Sequence, residues 1–234
     1  MHVHSAFSQG ESTLEELAST AKELGYKGIC FVFYWLGKRE DEIIKAEIER
    51  IEKEFGIKTF LGYEARNLKE LRFLAKIRKS FDFLLVRGGN LQLNRIACET
   101  PEVDILTHPS LGRKDPGINH IMAKRARKNE VAIEINFREL LTSSKRSRVE
   151  TLRKMREIVK IAKKYKTPLL ISSGAISHWE LKDPKVLISL GIALGLELKE
   201  AKKCISSLPK EMIKKILERK DERWILPGLK IVKR

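Results

Sequence analysis

The sequence is poor in thiols, in side-chain amides and in long apolar runs. Its three cysteines (Cys30, Cys98, Cys204) are odd in number, far apart and in no Cys-x-x-Cys pair. That argues against a disulfide framework and a thiolate zinc site, and for a reducing cytoplasm. No apolar run approaches the roughly 20 residues needed to span a bilayer, so no membrane is expected. The start Met1-His2-Val3-His4 lacks the basic, then apolar, then small-residue order of a secretory signal. No Gly-x-Gly-x-x-Gly turn marks a dinucleotide site. Only two Gln (Gln9, Gln92) and six Asn stand beside abundant Lys, Glu and Ile, a composition that leans towards a thermophile. What the chain does have is charge. A third of its 234 residues are charged, yet 42% are hydrophobic, enough to bury a core and to exclude a disordered basic tail.

The charge is unevenly placed. Lys and Arg number 47 against 31 Asp and Glu, a net of +16. Residues 1–66 hold nine basic and twelve acidic residues, whereas residues 67–234 hold 38 and 19, a net of +19. The densest stretch, 145–166, has ten basic residues and two acidic ones. A local excess of this size is expected where one face meets a polyanion, nucleic acid in the first place. For any single basic residue the plain alternative is a solvated helix face.

Short apolar runs alternate with longer amphipathic stretches. The runs are Val3 with its flanking histidines, 28–35, 58–62, 82–86, 103–107, 131–136 and 168–172, each reading as a buried parallel strand. Between them, helices are expected near 14–24, 40–54, 68–75, 90–98, 118–128 and 147–165, with Thr13 or Ser12, and then Asn67, as N-caps. Repeated strand–helix units predict an α/β fold, a single (β/α) TIM-like barrel of about seven strands over 1–234. After Ser173 the pattern becomes purely helical over 183–195, 198–206 and 209–220, an extension (183–220) expected to brace the barrel.

In such barrels chemistry sits at the C-terminal ends of the strands. Those ends carry His2 and His4, Tyr34-Trp35, Glu64-Ala65-Arg66, Arg87-Gly88-Gly89-Asn90, Thr107-His108-Pro109, Glu134-Ile135-Asn136 and Ser172-Ser173-Gly174-Ala175. The His-x-His, Gly-x-Glu, His-Pro and Glu-x-Asn elements together resemble the polymerase-and-histidinol-phosphatase hydrolases, metal-dependent phosphoesterases on a seven-stranded barrel. That resemblance makes His2, His4, Glu64 and His108 vestigial metal candidates and a metal-dependent phosphoesterase the alternative function. The match fails where the metals belong. Phe33-Tyr34 stands where that family has Asp-His, and Ser172-Ser173-Gly174-Ala175 where it has Ser-Asp-Ala-His. A multi-metal site needs those anions.

A closer resemblance accounts for the losses. Ser172-Ser173-Gly174-Ala175, with the 28–35 strand, the Arg87-Gly88-Gly89 turn and the Val103–His108 strand, resembles the 30-kilodalton-type protein subunit family of archaeal and eukaryotic ribonuclease P. The resemblance implies an archaeal, RNA-binding, non-catalytic subunit of an endoribonuclease that removes the 5′ leader of precursor tRNA. It implies as partners the ribonuclease P RNA, other protein subunits (one small subunit above all) and, indirectly, precursor tRNA. It implies no cofactor on this chain, Mg²⁺ being used by the RNA.

The residues expected to meet RNA are Arg66, Arg87, Arg113, Lys114, Lys145, Arg146, Arg148, Ser172 and Ser173. Arg87 precedes two glycines that would let backbone approach a phosphate. Lys145, Arg146 and Arg148 are expected in a Ser/Thr-rich loop that RNA would order. Glu64 and Glu134 are expected to bond the histidines, and Trp35, Tyr34 and Trp179 to lie at a protein interface or stack on bases.

Overall fold

The computed structural model describes the backbone of residues 2–4, 10–221, 224–226 and 229–230, and side chains over 10–221. The first half runs β1 (His2–His4), α1 (Leu14–Glu23), β2 (Gly28–Phe33), α2 (Lys38–Phe55), β3 (Lys58–Ala65), α3 (Leu68–Lys76), β4 (Phe83–Arg87), α4 (Leu91–Glu99) and β5 (Ile105–Thr107). The second half runs α5 (His120–Asn129), β6 (Ala132–Asn136), α6 (Arg138–Leu141), α7 (Lys145–Tyr165), β7 (Leu169–Ser172), α8 (Pro184–Ala193), α9 (Leu198–Ile205) and α10 (Ser207–Lys220). Two short strands, β8 (Trp224–Leu226) and β9 (Leu229–Lys230), pair antiparallel at the tail.

Local chemistry sets the helix ends. Thr13 accepts from the Glu16 amide while Glu16 reaches back to the Thr13 amide, a capping box worth about 1 kcal/mol. Asn67, Asn90, Asn119 and Asp183 cap α3, α4, α5 and α8 in the same sense, with Pro184 in the first turn of α8. Ser12, the other candidate cap, instead pairs with His178 Nδ1 at 2.7 Å.

The strands lie parallel in the sequential order β1 to β7. Among the described residues no ladder joins β7 back to β1; there the chain is tied by the Glu11 amide, which donates to the Ile176 carbonyl at 2.6 Å. The period of two in each strand sends alternate side chains to opposite faces. Ile29, Phe31, Phe33, Leu84, Val86, Leu106, Ile133, Ile135 and Ile171 join the layer between sheet and outer helices. Cys30, Val32, Phe83, Leu85, Ile105, Ala132 and Leu170 form a second cluster on the other face. That inner cluster is completed by Met212 and Ile216 of α10. At its edge Asp104 lies between the buried guanidiniums of Arg78 and Arg219. Apolar packing therefore fills the end of the curl where the strands begin, and the polar residues are left at the end where they finish.

Candidate functional site

The inward positions at the strand ends are Glu64, Arg87, Thr107, Glu134, Asn136 and Ser172, reached by the same alternation that buries Leu85 and Ile105. β3 runs through Glu64 to Ala65, so Glu64 lies on the strand and is fully buried. Its carboxylate accepts from Thr107 Oγ1 at 2.6 Å and faces Arg87 Nη1 at 3.4 Å. His108 has a left-handed backbone (φ 46°), which swings its ring towards α6. Its Nδ1 lies 2.7 Å from Glu139 Oε1, and its Nε2 3.4 Å from Asn136 Nδ2. Burial works against the imidazolium. The hydrogen bond and charge of Glu139, with the charges of Glu64 and Glu134, outweigh it, and His108 titrates above the ordinary histidine value.

These contacts correct the expected pairing at His108: its carboxylate partner is Glu139, not Glu64 or Glu134. They also bear on the vestigial metal set. Glu64 is engaged by a hydroxyl and a guanidinium, and His108 by the Glu139 carboxylate. Among the described residues no group of three or more His, Cys, Asp and Glu is placed to hold a metal ion. The backbone of His2 and His4 pairs with Cys30 and Val32, and their side chains lie outside the described residues.

The Ser-Ser-Gly-Ala segment is built as a buried turn. Ser173 is fully buried and its Oγ accepts from the Lys182 amide at 3.1 Å. Gly174 is left-handed (φ +56°), and a Cβ there would stand 1.9 Å from the Asn136 amide nitrogen. Ser172 is 2% exposed and its Oγ has no hydrogen-bond partner among the described residues. Both serines are buried.

The Arg87-Gly88-Gly89 turn also serves packing. A Cβ on Gly88 would meet Asn94 Oδ1 and the Thr107 carbonyl at 2.7 Å. Asn94 is fully buried on the apolar stripe of α4, between Leu93 and the Ala97–Cys98 turn. It accepts from the Gly89 amide at 3.1 Å and donates to the carbonyls of Pro109 (2.9 Å) and Gly117 (2.8 Å). The glycines let the β4–α4 and β5–α5 loops close on one amide, which positions Arg87 beside them.

The expected cations are spread around the strand-end rim. Arg66 pairs with Glu70 at 2.8 Å and lies 4.4 Å over the Tyr34 ring. Arg113 pairs with Asp115 at 2.6 Å and reaches the Gly89 carbonyl at 3.3 Å; Lys114 beside it is exposed. Lys145, Arg146 and Arg148 are exposed, but not in a loop as expected: they form the first turn of α7. Arg148 holds the Ser143 carbonyl at 2.6 Å and 3.0 Å. Several other α7 cations brace neighbours. Arg153 donates to the Lys114 carbonyl (3.0 Å), Lys154 to those of Ser110 and Arg113 (3.2 and 3.1 Å), and Arg156 to Ala193 (3.3 Å). Trp35 packs on Tyr63 and Phe73, whereas Trp179 stands 81% exposed beside the His178 ring.

Sequence reasoning missed Glu139 and Asn94. Asn94 carried a signal, a polar residue at an apolar-stripe position. Glu139 carried none.

Known proteins resemble this chain over most of its length. Ribonuclease P protein component 3 of Methanosarcina barkeri is 36% identical over 210 residues, covering 89% of this chain and 85% of its own. The protein of the same name from Methanocaldococcus jannaschii is 38% identical over 176 residues, covering 73% and 74%. A chain in the cryo-EM structure of archaeal ribonuclease P with mature tRNA superposes with a TM-score of 0.84 at 31% identity, covering 100% of this chain and 99% of that one. A chain from the crystal structures of the metal-dependent tyrosine phosphatases YwqE of Bacillus subtilis and CpsB of Streptococcus pneumoniae shares the fold at a TM-score of 0.61 and 14% identity, covering 97% of this chain and 96% of that one. The family model described as RNase P subunit p30 matches residues 1–221, and the chain belongs to that family.

Proposed function

We propose that this chain is an RNA-binding protein subunit of an archaeal-type ribonuclease P, supporting the catalytic RNA in removing the 5′ leader of precursor tRNA. The observation that carries the reading is the pairing of +19 over residues 67–234 with a rim whose acids are turned inward, Glu64 on Thr107 and Arg87, Glu139 on His108. A scaffold for a catalytic RNA needs cations for phosphates and no acid of its own. On this reading the chain adds no catalytic group, the Mg²⁺ serves the RNA, and the other protein subunits, one small partner above all, join the same particle. The 1–234 chain is taken as one barrel domain of about seven strands braced by 183–220. Its place is the cytoplasm; no helix among the described residues is long and apolar enough to cross a membrane.

Arg66, Arg87, Arg113, Lys114, Lys145, Arg146 and Arg148 are the rim residues we assign to RNA contact, Lys145 and Arg146 foremost because they are exposed and have no acidic partner among the described residues. Ser172 and Ser173 act instead as supports of the rim. The test is equilibrium binding to ribonuclease P RNA across a salt series. Lys145→Ala/Arg146→Ala/Arg148→Ala should lower the slope of log K against log salt by about 2 to 3. An unchanged slope and affinity would remove this turn from the RNA contact.

A further inference from the structure

Some cations are matched among the described residues. Arg50, Arg66, Arg95, Arg113, Arg138, Arg153 and Lys163 each meet a carboxylate. Others gather unmatched, four of them around one depression. Where the last turns of α5 and α7 lie side by side, Lys124, Arg127, Lys128 and Lys164 line an open depression with Tyr165. All four cations are exposed, and none has an acidic partner among the described residues. The Lys124 and Lys164 ammoniums hang 5.6 and 5.7 Å from the Tyr165 ring centre, and the His120 ring lies 6.3 Å away. Lys160, exposed one turn before Lys164, extends the patch along α7.

Helix ends explain part of this. A cation in a last turn complements the negative end of the helix dipole, typically by 0.3–1 kcal/mol. That favours Arg127, Lys128 and Lys164 singly and does not offset the mutual repulsion of four cations gathered around one depression. The site also lies away from the rim. In a strand–helix repeat the helices run back, so the C-terminal ends of α5 and α7 sit at the end of the sheet where strands begin. α7, at 21 residues, is about 31 Å long and carries Lys145 and Arg146 at one end and Lys164 at the other.

We infer that the α5–α7 depression is a second contact for the RNA phosphate backbone, separate from the strand-end rim, with Lys124, Arg127, Lys128 and Lys164 as its phosphate-binding groups. This rests on the ribonuclease P reading. The chemistry favours RNA over an acidic protein surface. A protein interface is built round a desolvated apolar or aromatic centre. Here the aromatic ring is overlain by ammoniums, and long flexible lysines converge on an open hollow, the arrangement that exchanges counterions for phosphates.

The experiment compares the wild-type chain with Lys124→Ala/Lys128→Ala/Lys164→Ala for binding to ribonuclease P RNA across a salt series, together with the other protein subunits, and for precursor-tRNA cleavage. The variant should keep its thermal unfolding midpoint, bind roughly tenfold or more weakly at physiological salt and show a slope shallower by about 2 to 3. The matching Lys→Arg variant should restore both. Unchanged affinity and slope in the alanine variant, with wild type raising cleavage, would overturn this inference alone. Intact RNA binding with lost assembly onto the other protein subunits would overturn it in favour of an acidic protein surface. A wild-type chain that fails to raise cleavage would remove the ribonuclease P reading, and this inference with it.

Discussion

A single change at Asp104 strikes a buried ion cluster. Asp104 is 3% exposed and stands between Arg78 and Arg219, whose side chains are 6% and 7% exposed. One carboxylate oxygen accepts from Arg78 and from the Leu84 amide at 2.8 Å; the other faces both terminal nitrogens of Arg219 at 3.4 Å. Arg78 also donates to the carbonyls of Glu102, Phe81 and Asp82 at 2.9, 3.2 and 2.7 Å. Burial holds the Arg78 pKa below its ordinary value even against the attraction of Asp104, so the carboxylate is what makes the guanidinium tolerable there. Asp104→Ala leaves two buried cations facing each other. Removing one member of a buried pair costs about 3–5 kcal/mol. Arg78 keeps its carbonyls and Arg219, on the last turn of α10, can turn outward, which places the expected loss near 3 kcal/mol, at the low end of that range. Urea denaturation followed by far-ultraviolet circular dichroism measures it. Arg219→Met should cost about 1–2 kcal/mol in the wild-type background and close to nothing, or a gain, beside Asp104→Ala. A loss below about 1 kcal/mol for Asp104→Ala, or equal costs for Arg219→Met in both backgrounds, would refute the coupling of Arg219 on α10 to Asp104.

Further outcomes follow from the rim. His108 has its folded-state pKa raised, so its bond to Glu139 contributes fully below the unfolded histidine value of about 6.5 and is lost as pH rises through the folded value. Wild type should therefore exceed Glu139→Gln in stability by about 1–2 kcal/mol near pH 6, with the gap narrowing towards pH 9; a gap that widens with pH contradicts the assignment. Gly174→Ala should cost about 2–4 kcal/mol, since it adds left-handed strain to an overlap with Asn136 that is itself held by the Arg138 amide at 2.9 Å; a thermal midpoint within a degree or two of wild type would show that the turn can yield. Trp179→Ala should leave stability within about 0.5 kcal/mol of wild type and weaken assembly with the other protein subunits, read by co-sedimentation; intact assembly would leave this ring out of the interface.

Much of the fold was legible in the sequence because the two periods differ. Runs such as Gly28–Phe33 and Ala132–Asn136 are too short and too apolar for surface helices, and Leu14, Leu17, Ala18 and Ala21 recur at helical spacing; both readings hold in the structure. The start of α7 was not legible. A first turn holding Lys145, Arg146 and Arg148 opposes the helix dipole and has no side-chain cap, so local signals placed the boundary two residues later. Glu139 was out of reach for another reason: α6 has four residues, too few to show any period. The glycines after Arg87 read as phosphate contacts because their packing partner, Asn94, is brought in by the fold and not by neighbouring sequence. Charge itself was legible in amount but not in use. Only contacts separate Arg153 and Lys154, which brace the 110–115 loop, from Lys145 and Arg146, which face solvent.

The most direct measurement is reconstitution. Ribonuclease P RNA and the other protein subunits are assembled with and without this chain, and 5′-leader removal from precursor tRNA is followed at limiting Mg²⁺. Adding the chain should raise the cleavage rate several-fold, and Glu64→Gln, which removes the carboxylate charge while leaving an oxygen to accept from Thr107 and Arg87, should keep that stimulation. Cleavage indifferent to the chain, or stimulation abolished by Glu64→Gln in a protein that remains folded, would contradict the proposed function.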